Sequence, residues 1–113
     1  MPATVLIVEE YTDLCSAIAA TLTRGEYTCS SATTVEEAID KLQAQHYDSI
    51  LLAPRLPIQD DPVMHFLHEQ QPDEVCKVIL MTEPEIEEIE AQECPILQKP
   101  FNHEQLFARL RGN

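Results

Sequence analysis

The sequence predicts an α/β domain in which a parallel five-stranded sheet lies between two layers of helices. Short apolar runs alternate along the chain with segments that repeat apolar residues at helical spacing, which is typical of such sandwiches. Two of the runs, Val5–Val8 and Val78–Met81, are continuously apolar, as expected of central strands that helices cover on both sides. The length of 113 residues fits one domain, which we assign to residues 1–113.

The strand candidates are all short. They are Ala3–Val8, Glu26–Ser31, Ser49–Ala53, Lys77–Thr82 and Ile96–Gln98. In a flavodoxin-like arrangement, five such strands follow the order 2-1-3-4-5. We therefore expect the loops after the first, third and fourth strands to meet at one edge of the sheet.

Helix signals fill the intervals between these strands. The first helical segment repeats leucine and isoleucine at four-residue spacing, a stripe that would face the sheet. Thr34 stands before the second, with glutamate at the third helical position as in a capping box, and Asn102 caps the last. The predicted helices are Asp13–Thr23, Val35–Gln45, a segment that starts at Pro62, and His103–Arg111.

The charge of the chain limits its partners. Twenty acidic residues against seven basic ones give a net charge of −13. Nucleic acids and anionic membranes attract Lys and Arg, so neither is an expected partner. The sequence also lacks an apolar run near the ~20 residues that a membrane helix needs. A protein partner, with a basic surface among the candidates, fits the charge better.

The cysteines indicate a reducing compartment. Cys15, Cys29, Cys76 and Cys94 form no CxxC pair and have no histidine at zinc-finger spacing. Thiols of this kind in a chain without a signal peptide favour a cytoplasmic location. A thiol redox sensor that uses Cys94, next to Pro95, stays open as an alternative function.

Polar residues follow the strands at the edge where the loops meet. Glu9 and Glu10 end the first strand, and Thr82 ends the fourth. Lys99 comes directly after the fifth strand. Ala53 ends the third strand and is expected to point into the pocket that these four residues form.

These residues belong to four short motifs, Val8–Glu10, Leu56–Pro57, Leu80–Thr82 and Lys99–Phe101. In order and approximate spacing they resemble those of the CheY-like receiver domains of response regulators. The resemblance covers nearly the whole chain and implies a flavodoxin-like three-layer sandwich. In that family an aspartate at the position of Ala53 accepts a phosphoryl group from a histidine kinase.

The resemblance also implies a role for each pocket residue. In the family, the two acids after the first strand help to hold Mg²⁺, while the residues at Thr82 and Lys99 contact the phosphoryl group. Because Ala53 supplies neither a nucleophile nor a metal ligand, we expect a pseudo-receiver that is not an enzyme and has no cofactor. Glu10 is longer than the usual aspartate, so at most a weak residual Mg²⁺ site is expected at Glu9 and Glu10.

The segment between Thr82 and Lys99 is shorter than the family's, which predicts a shortened fourth helix. Ile96 replaces the aromatic residue expected three positions before the lysine. We therefore predict a modified interaction face over residues 83–111, for a protein partner that is basic or another signalling protein; a homodimer is compatible with this face. The candidate contacts are Glu83, Glu85, Glu87, Glu88, Ile96 and Phe101.

Two questions remain open in the sequence. Asp60 or Asp61 could accept the phosphoryl group in an active receiver, or both could lie in a solvated turn that caps the helix at Pro62. Lys99 or Arg55 could neutralise the acids of the pocket in place of a metal, or these acids could be solvated remnants.

A third question concerns two histidines of the third helix. His65 and His68 lie three residues apart with Glu69 adjacent. This is a weak signal for a metal site, because two ligands on an exposed helix hold a metal poorly.

Overall fold

The computed structural model describes residues 3–54, 60–83 and 94–111. These residues form a parallel sheet of five strands in the order β2-β1-β3-β4-β5, which confirms the predicted order. The strands are β1 Thr4–Val8, β2 Thr28–Ala32, β3 Ser49–Leu52, β4 Val78–Thr82 and β5 Ile96–Gln98. The helices are α1 Thr12–Arg24, α2 Val35–Ala44, α3 Pro62–Gln70, a 3₁₀ helix Pro72–Lys77, and α4 His103–Leu110.

Helices cover both faces of the sheet. Because side chains alternate along a strand, β1 sends Leu6 and Val8 into one core and Val5 and Ile7 into the other. The first core also contains buried residues of α2 and α3, and the second contains buried residues of α1 and α4. This is the predicted three-layer sandwich with a CheY-like flavodoxin fold.

Several strand limits differ from the prediction. β2 begins at Thr28, because Glu26 has a φ of 69° and lies in the turn that follows α1. β4 begins at Val78, because Lys77 closes the 3₁₀ helix. Strand β3 ends one residue before Ala53, although the Ala53 amide still bonds to a neighbouring strand. The predicted shortened fourth helix falls on residues 84–93, outside the described ranges.

The predicted N-caps Thr34 and Asn102 are present, but one hydrogen bond of the capping box expected at Thr34 has a different partner. The Thr34 hydroxyl accepts a hydrogen bond from the Glu37 amide at 3.1 Å, but the Glu37 carboxylate reaches back to the Thr33 amide at 2.8 Å. Asn102 and Gln105 form a reciprocal capping box at the start of α4, with distances of 2.8 and 2.9 Å. This box fixes the chain just after Lys99, and so helps to position the pocket.

Within the described ranges, no helix combines the length and the apolar character required to cross a bilayer.

Candidate functional site

Glu9 and Ala53 lie side by side at the carboxyl edge of the sheet. The register pairs Val8 with Leu52, so the next residue of each strand follows in step. The Ala53 amide donates to the Val8 carbonyl oxygen at 2.9 Å. Ala53 is half-buried and packs against the core beneath α1 and α4. The side chain next to Glu9 is therefore a methyl group, which can neither attack a phosphorus atom nor bind a metal.

Glu9 forms a buried ion pair with Lys99. The Lys99 Nζ lies 2.6 Å from Oε1 of Glu9, and the two side chains are 11% and 1% exposed. The backbone holds the lysine in place, because its amide donates to the carbonyl oxygen of the buried Thr82 at 2.7 Å. The interpretation of Glu9 as a solvated remnant is wrong, because its carboxylate has almost no contact with water.

Tyr11 contacts both members of the pair. Its amide donates to the second carboxylate oxygen of Glu9 at 3.3 Å, and Lys99 Nζ lies 5.7 Å from the centre of its ring. The side chain is otherwise 63% exposed. The sequence did not identify Tyr11 as a pocket residue, and its position two residues after Glu9 was the only available signal.

The other acids near the pocket are more exposed. Glu10 faces solvent, whereas Glu83 places Oε1 3.6 Å from Lys99 Nζ with its side chain 47% exposed. Glu83, predicted only as a partner contact, therefore also belongs to the ion cluster of the pocket.

The remaining partner candidates are less open than expected. Ile96 and Phe101 are half-buried and pack against the two cores, Ile96 on the α2 and α3 side and Phe101 on the α1 and α4 side. Each can therefore present only part of its surface to a partner. Glu85, Glu87 and Glu88 lie outside the described residues.

The pocket does not fit a resident Mg²⁺ ion. Mg²⁺ demands near-octahedral oxygen ligands. Both oxygens of Glu9 already accept hydrogen bonds, one from an ammonium and one from an amide, and Ala53 offers no ligand. Across the described ranges, no cluster of three or more acidic, histidine or cysteine side chains is placed to hold a metal. At the predicted residual site, the Glu9 carboxylate is therefore already bonded to Lys99 and Tyr11, and the Glu10 side chain faces solvent.

The loop aspartates differ from each other. Asp60 is exposed, but Asp61 is only 2% exposed and its Oδ1 accepts from the amides of Val63 and Met64 at 2.9 and 3.0 Å. The expectation of a solvated turn is wrong for Asp61, although its capping role is as predicted. A carboxylate that satisfies two amides at the start of α3 is committed to that helix.

Within the part of the chain that the structure describes, the histidines of α3 do not belong to a group of side chains that could hold a metal. His65 and Glu69 are both well exposed, and His65 Nε2 lies 3.6 Å from Glu69 Oε2. A contact of this length between exposed side chains on one helix is a weak surface ion pair.

A second buried acid lies at the opposite edge of the sheet, where the sequence indicated no site. Glu74 is buried, and each of its carboxylate oxygens has a partner. His46 Nδ1 lies 2.9 Å from Oε1, and Lys77 Nζ lies 2.7 Å from Oε2. Burial alone would raise the pKa of Glu74, but the hydrogen bonds and charges of Lys77 and His46 outweigh it and lower that pKa. Lys77 has a helical spacing to Glu74 that could have suggested the pair, whereas no sequence signal connects His46 to it.

Two of the four thiols, those of Cys15 and Cys94, occupy core positions. Cys94 is buried and its Sγ lies 3.7 Å from the carbonyl oxygen of Val75. Cys15 is also buried, and this burial raises the pKa of its thiol despite a hydrogen bond with Ser31. Cys76, in contrast, is exposed.

Comparison with known proteins gives matches along almost the whole chain. The sequence profile of the response regulator receiver domain matches residues 5–111. The transcriptional regulatory protein BasR of Escherichia coli (strain K12) is 32% identical over 114 residues, which cover 96% of this chain and 50% of that protein. The chain thus spans about half the length of this relative.

Solved structures share the fold. Chemotaxis protein CheY4 of Vibrio cholerae gives a TM-score of 0.80 at 24% identity, with 98% of each chain covered. The receiver domain of the sensor histidine kinase PA1611 of Pseudomonas aeruginosa, with a magnesium ion in its active-site cleft, gives a TM-score of 0.81 at 23% identity, with 98% of this chain and 96% of that one covered. With the fold, the pocket motifs and the profile match in agreement, the chain belongs to the response regulator receiver domain family.

Proposed function

We propose that this chain is a phosphorylation-independent pseudo-receiver, a protein interaction module of two-component-type signal transduction in the cytoplasm that has no catalytic activity of its own. The observation that carries the proposal is Ala53. It stands beside the buried Glu9 where the family resemblance places the phosphoacceptor, and a methyl group cannot form an acyl phosphate.

The position of Lys99 supports the same proposal. In the family this lysine pairs with the phosphoryl group. Here its side chain is 11% exposed, and the ammonium lies 2.6 Å from a carboxylate oxygen of Glu9. An incoming phosphoryl group would have to separate a buried ion pair, which is costly because one charge then lacks its partner.

The alternative is an active receiver that uses a loop aspartate. Asp61 fits this role poorly, because its carboxylate is buried and caps α3. Asp60 is exposed and chemically available. The two functions therefore differ in one observable, which is covalent phosphoryl transfer to the chain.

Incubation with acetyl phosphate and Mg²⁺, followed by intact mass spectrometry, distinguishes the pseudo-receiver from the active receiver. We expect no added phosphoryl mass on the wild-type chain and none on an Asp60→Asn/Asp61→Asn variant. Ala53→Asp is the matched control, because it restores a carboxylate beside Glu9, and we expect it to become labelled. Labelling of the wild type that disappears in Asp60→Asn/Asp61→Asn would establish the alternative and overturn the proposal.

We place the partner surface on residues 83–111, and a basic protein is the partner that its acidic part favours. In-cell crosslinking through a probe on this face would give a partner adduct. We expect the adduct to weaken when Glu83, Glu85, Glu87 and Glu88 are all changed to Gln, and also at high salt in vitro. Glu36→Gln/Asp40→Asn is the control, because both residues are exposed on α2. Equal loss of the adduct in both variants would contradict a specific acidic surface.

A further inference from the structure

We propose that Lys99 is the resident counter-ion of Glu9 and does permanently what a divalent cation would otherwise do in this pocket, so that the conformation of the domain does not depend on Mg²⁺. The inference deepens the proposed function, because it concerns regulation of the same pocket. It rests on the geometry of Glu9, Lys99 and Tyr11.

The ligand atoms of Glu9 are already in use. Glu9 has two oxygens, and both are engaged: Oε1 lies 2.6 Å from Lys99 Nζ, and Oε2 accepts from the Tyr11 amide at 3.3 Å. A metal at Glu9 would have to displace the ammonium or lie against it, since both cations would approach the same buried carboxylate. With methyl in place of carboxylate at Ala53, a displacing metal would gain no second ligand there.

Glu9 is also buried, so its charge must be neutralised within the pocket. An unpaired carboxylate in a site with 1% exposure is strongly unfavourable, so Glu9 requires a cation close by. Lys99 supplies this cation from within the chain, at a separation of 90 residues in sequence. Because this cation belongs to the chain, neutralisation of Glu9 does not depend on the concentration of a free ion. The pocket is therefore neutralised whenever the domain is folded.

The ion pair also links separate segments of the chain. The carboxylate of Glu9 connects the end of β1, the first residues before α1 through Tyr11, and the residue after β5 through Lys99. Lys99 is tied to the end of β4 through its amide as well. These contacts hold three loops of the sheet edge together, and metal binding or release has no part in them. The result is one fixed conformation of this edge.

The test is a thermal unfolding series with EDTA or millimolar Mg²⁺. The wild type is expected to unfold at the same temperature in both. Lys99→Met keeps the length of the side chain but leaves Glu9 unpaired, so we expect the Tm in EDTA to fall by about 10 °C or more. Mg²⁺ is then expected to restore at least half of this loss, because the unpaired Glu9 carboxylate attracts a hydrated Mg²⁺ ion even without a ligand at position 53. Lys99→Met/Glu9→Gln, which removes both charges, is expected to lose the response to Mg²⁺.

Lys77→Met is the matched control, because Lys77 pairs with the other buried glutamate, Glu74, at 2.7 Å. Lys77→Met is expected to unfold at a lower temperature than the wild type, and Mg²⁺ is expected to raise that temperature much less than it does for Lys99→Met. An equal gain in Lys77→Met would show a general effect of the ion and overturn the proposal. A folded Lys99→Met that does not respond to Mg²⁺ would do the same.

A wild-type measurement decides the case where Lys99→Met does not fold. Paramagnetic Mn²⁺ broadens amide signals near a bound ion, and we expect no saturable broadening at Glu9, Ala53 or Lys99. Saturable broadening there would overturn the counter-ion proposal but leave the proposed function intact, since a metal can bind without phosphorylation. Phosphoryl labelling of the wild type would overturn the proposed function whatever the Mn²⁺ result.

Discussion

The backbone amide of Ala53 donates a hydrogen bond to the carbonyl oxygen of Val8, with the two atoms 2.9 Å apart. Because Glu9 follows Val8 directly, this bond fixes position 53 beside a buried carboxylate. An acidic residue introduced at 53 would therefore share its surroundings with Glu9 and compete for Lys99.

Ala53→Asp is accordingly expected to destabilise the domain in EDTA. Two carboxylates would share one ammonium, and the cost should be about 1–3 kcal/mol, as for a polar group left unsatisfied in a half-buried site. Mg²⁺ should reverse this loss, since it neutralises the added charge. Chemical denaturation with and without the ion measures the effect, and Ala53→Asn serves as the uncharged control. An Ala53→Asp variant as stable as wild type in EDTA would contradict the geometry described for Glu9.

Asp61 is expected to matter for stability and Asp60 is not. Asp61→Ala removes the acceptor of two amides at the start of α3 and should cost about 0.5–2 kcal/mol, as for other N-caps. Asp60→Ala should change stability by less than about 0.5 kcal/mol, because Asp60 is exposed. Urea denaturation of both variants, with Asp61→Asn as the conservative replacement, provides the comparison. Equal effects at the two positions would contradict the capping role.

Glu74 is expected to give the domain an acid-sensitive contribution to stability. Its pKa in the folded chain lies below the ordinary 4.5, so its stabilising effect is complete above that value and is lost as the pH falls through the lower, folded pKa. At pH 7, Glu74→Gln should cost about 1–3 kcal/mol, because Lys77 and His46 lose a charged acceptor.

The difference in stability between wild type and Glu74→Gln should shrink as the pH drops below 4.5. Denaturant midpoints measured from neutral to acidic pH give this difference directly. Lys77→Met should show a related loss at neutral pH, since it removes the cation 2.7 Å from Glu74. A constant difference across the pH range would show that Glu74 acts by packing alone.

Thiol reactivity should follow burial. Under native conditions, Cys76 is expected to react first with iodoacetamide, because it is exposed. Cys15 should react slowly, since burial limits access and the raised pKa reduces the thiolate fraction. Cys94 should also be slow, as it is 6% exposed. Peptide mass spectrometry over time gives the order, and rapid native modification of Cys94 would revive the redox-sensor alternative.

The fold was accessible from the sequence because its central strands are apolar throughout, as in Val5–Val8. β2 was placed two residues too early because its sequence, Thr28–Ala32, has no apolar run and lies at an edge of the sheet. In the pocket, Glu9 and Lys99 could be found because each stands beside a strand end.

Neither residue type nor periodicity could have predicted two features of the structure. The contact of Glu74 with His46 joins residues 28 positions apart through a loop and a 3₁₀ helix, so no periodicity reveals it. The role of Tyr11 depends on a backbone amide, which any residue at that position would provide.

The most direct test of the pseudo-receiver is an amide NMR titration of the wild type with Mg²⁺ and beryllofluoride, a mimic of the bound phosphoryl group. Ala53→Asp, titrated in parallel, shows whether the reagents act on this pocket. We expect saturable shifts in Ala53→Asp and none at Glu9, Ala53, Thr82 or Lys99 of the wild type. Saturable shifts at these four residues when beryllofluoride is added to the wild type already in Mg²⁺ would contradict the pseudo-receiver proposal, because the pocket would then still receive a phosphoryl-like ligand.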